Sequence, residues 1–248
     1  MRKKQLKEEL DLLALRYGTP LFVKSDPLQF LWRFTEHRDI EITAVLVAAN
    51  TWGRRDLIIR ACNRLMNLMD NSPSHFVSKE LYEDIPDEDN VYRTFFGRDL
   101  KYFCRGLNAI YREHGSLETL FAKDKENMWN GIALFRETLR QANEHGGYNK
   151  HLANPATSAC KRLHLMLRWL VRDDRVDRGL WKQISPKHLM IPMDTHVFHT
   201  ARKMGLLKQP TPGRAAVESL THTLRAFDPN DPVKYDFALF GYGIEHHL

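Results

Sequence analysis

Two side chains in this chain stand where their charge could serve chemistry: Asp194 and Lys161. Residues 189–207, LMIPMDTHVFHTARKMGLL, place Asp194 at a helix N-cap position. Pro192 stiffens the approach, and the helix is expected to run from about Thr195 until Gly205 can end it. A carboxylate there accepts bonds from the first free amides, and the positive end of the helix dipole favours its charged form. Beside a cleft, such an anion stabilises a cationic transition state. Away from one, it is only a cap. Residues 156–174, ATSACKRLHLMLRWLVRDD, give a helix with Leu163, Met166, Leu167 and Leu170 on its apolar face. Lys161 falls in its first turn, where the dipole offers a cation nothing. Partly buried, it would serve as an amine nucleophile. On an open surface it would be a solvated lysine or a phosphate contact.

Other chemistries find less support. His196 and His199 are three apart and could share a helix face, and His246 and His247 are adjacent. No carboxylate or cysteine completes a known ligand spacing around them and H-E-x-x-H is missing, so no metal is expected. No P-loop, Rossmann glycine fingerprint or G-x-S-x-G elbow occurs, and no cofactor is expected. Cys62, Cys104 and Cys160 lie far apart without a CxxC pair. That spacing argues against a disulfide framework and against thiolate zinc or iron–sulfur sites, and it fits a reducing compartment.

These residues need a scaffold, and the sequence describes a helical one. The 248 residues suit one domain or two closely packed lobes, and the 43% hydrophobic content with 13 Phe and 5 Trp is ample for a core. Leu6, Leu10, Leu13 and Tyr17 recur at helical spacing before Gly18. Asp26-Pro27 and Asp231-Pro232 each read as a capped helix start. ITAVLVAAN, LIIRACNRLMNLM, YFCRGLNAIYREHG, MWNGIALFRETLRQANEHGG and SACKRLHLMLRWLVRD all show periods near 3.6, and no strand alternation is evident. Residues 71–90 and 146–157 read as loops. An all-α fold is expected. The net charge of +6 favours a polyanionic partner. The N-terminal MRKKQLKEELDLLALRYG lacks a signal-peptide core, and no window approaches the roughly 20 apolar residues of a membrane span. A cytoplasmic protein with no membrane partner is expected.

Residues 160–244, from CKRLHLMLRW through IPMDTHVFHTARKMGLL to DPVKYDFALFGYGI, resemble a bacterial DUF2400-like family within the helix-hairpin-helix DNA glycosylase superfamily. Endonuclease III and the archaeal 8-oxoguanine glycosylases belong to that superfamily, and the wider resemblance runs from about residue 26 to the C-terminus. IPMDTHV is its most specific part. The resemblance implies a two-lobed helical bundle, with lobes 26–185 and 1–25 plus 186–248 forming one compact, monomeric unit. It makes Asp194 the catalytic carboxylate and Lys161 the nucleophile of a bifunctional enzyme. It makes Asn50, in VAANTWGRRDL, a probe of the base stack. The family's glycine-rich hairpin LPGVGxKTA is replaced here by KHLANPATSAC, and the four-cysteine iron–sulfur loop has no counterpart.

The implied function is excision of an oxidised or otherwise damaged base from double-stranded DNA, with AP-lyase activity. A target base must leave the duplex for an aromatic-lined pocket, for which Trp52, Trp169, Phe237, Phe240 and His196 are candidates. Arg54, Arg55, Arg202 and Lys203 could meet phosphates. Two alternatives stand beside this reading. One is a nucleic-acid-binding protein that keeps the fold without the chemistry. The other is a helical interaction protein in which Asp194 only caps.

Overall fold

The computed structural model describes residues 2–144 and 146–248, with the side chain of Arg2 left aside. Helix dominates it. In chain order the helices are α1 (Arg2–Tyr17), α2 (Pro20–Ser25), α3 (His37–Ala49), α4 (Arg55–Leu68), α5 (Pro73–Ser78), α6 (Gly97–His114), α7 (Leu117–Ala122), α8 (Met128–Gln141), α9 (Lys161–Val171), α10 (Thr195–Lys203), α11 (Arg214–Arg225) and α12 (Tyr235–Glu245). Each periodic segment identified in the sequence becomes one of these. The span expected through Gly147 ends as helix at Gln141, and His145 within it lies outside the described residues. No described helix is long and apolar enough to cross a membrane.

No strand alternation is evident by letter, yet a small hairpin forms from β1 (Asn90–Tyr92) and β2 (Phe95–Phe96), paired antiparallel. Strands this short offer too few positions for alternation to register. The hairpin closes through Arg93, held at φ 51°, and buries Val91, Tyr92 and Phe95. The looser stretch 71–90 also contains α5 and a 3-10 turn at Leu81–Asp84.

The chain divides into two compact units, a central one of Ser25–Leu152 and a terminal one combining residues up to Lys24 with Ala153–Leu248. The boundary thus falls at 152/153 rather than the expected 185/186. The reason lies on α9, whose Arg168 and Arg172 pair with Asp236 and Asp231 near the C-terminal helix. Those ion pairs commit α9 to the terminal unit.

In the central unit, α3 is buried over nearly its whole length, including the Glu41 side chain. Glu41 accepts bonds from the Leu117 and Glu118 amides at 3.1 and 3.0 Å and from the Tyr111 hydroxyl at 3.1 Å. It thereby satisfies the free amides that open α7. In the terminal unit, α12 packs against both α1 and α10. Gly243 permits the close approach of α10, since a Cβ there would stand 2.7 Å from Thr200 Oγ1.

The two Asp-Pro helix starts behave differently. Asp26 caps as expected, its Oδ1 accepting from the Leu28 amide at 3.0 Å ahead of the 3-10 helix Pro27–Arg33. Asp231 does not cap; its carboxylate accepts from Arg172 Nε at 2.9 and 3.1 Å. A desolvated guanidinium is a stronger partner than a neutral amide.

Candidate active site

Asp194 sits where its sequence context puts it. It is the N-cap of α10, in extended backbone, and its Oδ1 accepts from the Val197 amide at 2.9 Å. Ile191, Pro192 and Met193 before it are buried, whereas Asp194 itself is only half-buried. Gly205, at φ 73°, follows the helix end as expected. The buried approach fixes the carboxylate and leaves part of it accessible.

Lys161 is the first residue of α9 and is also half-buried. The chain reaches it through Cys160, a left-handed residue at φ 45° with its side chain buried. A non-glycine residue in that region costs on the order of 1–3 kcal/mol and persists only where the surroundings impose it. Here the imposing contacts are local: Ser158 Oγ accepts from the Cys160 amide at 3.2 Å, and Cys160 Sγ lies 3.7 Å from the Ala153 carbonyl. A sharp, strained corner therefore sets where Lys161 begins its helix.

A third group connects these two. Asp236, in the first turn of α12, is 6% exposed. Burial pushes its carboxyl up to about 7, the nearby Arg168 cation opposing and the Asp194 charge adding to the rise. The Lys161 charge acts on the same carboxyl in the lowering direction. Asp194, Lys161 and Asp236 thus share one electrostatic neighbourhood, built from the opening turns of three helices.

Behind it lies an ion-pair network that the sequence reading missed. Arg168, 2% exposed, donates to Asp177 at 3.2 Å and to Asp236, with its guanidinium 4.3 Å from the Phe237 ring centre. Arg172 donates to Asp177 at 2.5 Å, to Asp174 at 2.8 Å and to Asp231. Burial raises the Asp177 carboxyl and both arginines pull it back. Two arginines at i and i+4 on an otherwise apolar helix, followed by DDRVD, were the available signal. Arginines on a buried face need carboxylates.

The remaining candidates scatter. In the terminal unit Trp169 is 0% exposed and Phe237 is buried beneath Arg168, so both are core rather than the lining of an open pocket. His196 is half-buried, with Nδ1 2.6 Å from the Leu248 main-chain oxygen and its ring edge-on to the half-buried Phe240 at 5.8 Å. His199 is exposed against Phe198, and His246 stacks on Tyr242 at 3.8 Å. Among the described residues no three His, Cys, Asp or Glu side chains are grouped to hold a metal. Arg202 and Lys203 are exposed at the last turn of α10.

In the central unit Asn50 is 1% exposed, and its Nδ2 donates to the Leu46 carbonyl at 2.8 Å. It closes the end of α3 and in this structure cannot reach into a base stack. Trp52 is half-buried, with the Arg93 guanidinium 4.6 Å from its ring centre and the Tyr92 hydroxyl donating to its carbonyl at 2.7 Å. Arg54 is exposed and paired with Asp56 at 3.1 Å; Arg55 is half-buried, 3.5 Å from Ser25 Oγ. A cavity of about 170 Å³ in this unit is lined by Arg38, Asn108, Tyr111 and Arg112 among others, and by none of the residues singled out from sequence.

A family model described as "Protein of unknown function (DUF2400)" matches residues 26–245. No curated protein and no solved structure matches the chain.

Proposed function

The chain belongs to the DUF2400 family, and from the resemblance carried by its IPMDTHV segment, together with Asp194 and Lys161, we propose that it is a DNA base-excision glycosylase with AP-lyase activity. It would act on an oxidised or otherwise damaged base in double-stranded DNA. The observation that supports this reading is that Asp194, capping α10, and Lys161, opening α9, are both half-buried in the same compact unit. An anion offsets the cationic sugar formed when an N-glycosidic bond breaks, and an amine adds the lyase step; Asp194 and Lys161 are the residues that would supply them. The strained Cys160 beside the amine and the IPMDTHV segment around the acid lend further support.

The chemistry follows from the charges. As the base departs with the bond pair, the sugar acquires oxocarbenium character, which the Asp194 carboxylate offsets. The lone pair of neutral Lys161 attacks the anomeric carbon, and ring opening gives a Schiff base from which the 3′ phosphate can be eliminated. Half-buried Phe240 and His196 are the side chains available to flank an extruded base, and exposed Arg202 and Lys203 can meet phosphates.

Borohydride trapping on a panel of duplexes, each carrying one damaged base, tests the proposal. At least one duplex should yield base release and a covalent adduct, and Lys161→Ala should abolish the adduct. Adducts that persist in Lys161→Ala would remove Lys161 from the mechanism. One feature favours the binding-only alternative: residues 146–159 approach α9 as irregular chain and lack the glycine-rich hairpin. Tight DNA binding without base release on any duplex would establish that alternative.

A further inference from the structure

We infer that the β-hairpin face of the central unit binds an unpaired nucleic-acid strand, its bases stacking on partly exposed rings and its phosphates meeting the cations that lie on those rings. The inference concerns the central unit alone and does not need the base-release chemistry proposed from Asp194 and Lys161. Three aromatic side chains carry it. The Arg93 guanidinium stands 4.6 Å from the ring centre of half-buried Trp52. Half-buried Phe96 has Arg98 at 4.6 Å and Lys150 at 5.7 Å from its ring centre. Tyr148, 49% exposed, has Arg136 at 4.1 Å. Among the described residues none of these four cations forms an ion pair, although their neighbours do: Arg54 pairs with Asp56, Lys101 with Asp87 and Arg140 with Glu137. A cation held on a ring rather than on a carboxylate keeps its charge for a partner from outside.

The fold fixes these rings in one surface. The Tyr92 hydroxyl holds the Trp52 carbonyl at 2.7 Å, and Gly53, at φ 98°, leaves room for the arginine, since a Cβ there would collide with the Arg93 guanidinium. His151, 7% exposed, sets its Nε2 3.1 Å from the Thr94 carbonyl at the hairpin turn. The buried Asp99 carboxylate accepts from the Phe96 amide and from Asn149 Nδ2, both at 2.9 Å. It thereby ties the hairpin to the loop that carries Tyr148 and Lys150. A platform set in advance loses little conformational freedom when a flexible strand binds.

An unpaired strand suits this face better than other anionic partners. In a duplex each base face is covered by its neighbours, so only an unstacked base can meet a ring. An acidic peptide engages the cations without needing the rings. An anionic membrane calls for apolar side chains that insert, and the hairpin's Val91, Tyr92 and Phe95 are buried. The exposed acidic run Asp87–Asp89 adjoins Arg98, whose amide donates to the Asp87 carbonyl at 3.1 Å. Lys101 holds the Asp87 carboxylate at 2.9 Å, and Glu88 and Asp89 repel a phosphate backbone from that side. The strand is therefore expected to run from Trp52 and Arg93 toward Lys150 and Tyr148.

Fluorescence anisotropy with the full-length protein and a labelled oligothymidylate of about 15 nucleotides tests this. Wild type should bind it more tightly than a duplex of equal length, and its affinity should fall as KCl rises from about 50 to 200 mM. Trp52→Leu and Tyr148→Ala should each weaken binding on the order of 10-fold at every salt concentration, because each removes a stacking surface and no charge. Arg93→Asn suits a left-handed position and should instead reduce the log–log salt slope by about 0.7, the share of one phosphate contact on a single strand. Tyr148 is 49% exposed, so its variant decides the matter should Trp52→Leu fail to fold. Oligothymidylate binding unchanged in Tyr148→Ala and Arg93→Asn overturns the inference, as does a wild-type preference for duplex. So does equal affinity for polyglutamate or for phosphatidylserine vesicles, since charge alone would then explain the face. Base release plays no part in the measurement, so this inference and the glycosylase proposal can fail separately.

Discussion

Asp194→Asn is expected to slow base release by about 100- to 1,000-fold in single turnover, the range typical for removing one preorganised electrostatic partner of a transition state. The expectation is sharp because asparagine keeps everything else. It is as good an N-cap as aspartate, and its side-chain oxygen can still accept from the Val197 amide that Asp194 now binds at 2.9 Å. Helix α10 should therefore persist, with stability changed by less than about 1 kcal/mol. DNA affinity should hold or rise slightly, since an anion near phosphates has been removed. Asp194→Ala separates the two roles: it loses the charge and the cap together and should cost about 1 kcal/mol in addition. Base release that is unchanged in Asp194→Asn, beside a destabilised Asp194→Ala, would reduce Asp194 to a cap.

Arg168→Ala carries the largest expected effect on stability. Its guanidinium joins Asp177 to Asp236 in a nearly solvent-free place and covers the Phe237 ring. Truncating it leaves the Asp236 carboxyl without its cation and Asp177 with Arg172 alone, and breaking a buried pair in this way costs about 3–5 kcal/mol. Arg168→Lys should recover only part, because an ammonium cannot span two carboxylates and lie flat on a ring as a guanidinium does. The loss should also depend on pH. Asp236 is protonated below about 7 even with Arg168 present, so an acidic medium neutralises the stranded carboxyl and the penalty shrinks as pH falls. Hydrogen exchange of the α9 amides, followed at pH 5.5 and 8, reads both effects. Protection that is equal in wild type and Arg168→Ala at pH 8 would show that the network adds nothing to the terminal unit.

What the chain determined locally is legible in its letters. Pro192-Met193-Asp194 followed by Gly205 fixed a capped helix with defined ends, because capping and left-handed termination involve residues only a few positions apart. The periodic segments likewise became helices, since a 3.6-residue repeat is a local property. Burial is not local, and there the reading by letters failed. Asn50, Trp169 and Phe237 are polar or aromatic residues of a kind that binding sites use, yet each is buried. Asp231 carries the same Asp-Pro signature as Asp26 but turns to Arg172, 59 positions away. The position of Asp236 shows the difference most plainly. Its sequence neighbourhood, VKYDFALF, marks a buried helix and nothing more. Only the folding of α9 and α10 against α12 sets an arginine, a lysine and a second aspartate around that carboxyl, and in a desolvated place those charges decide whether it holds its proton.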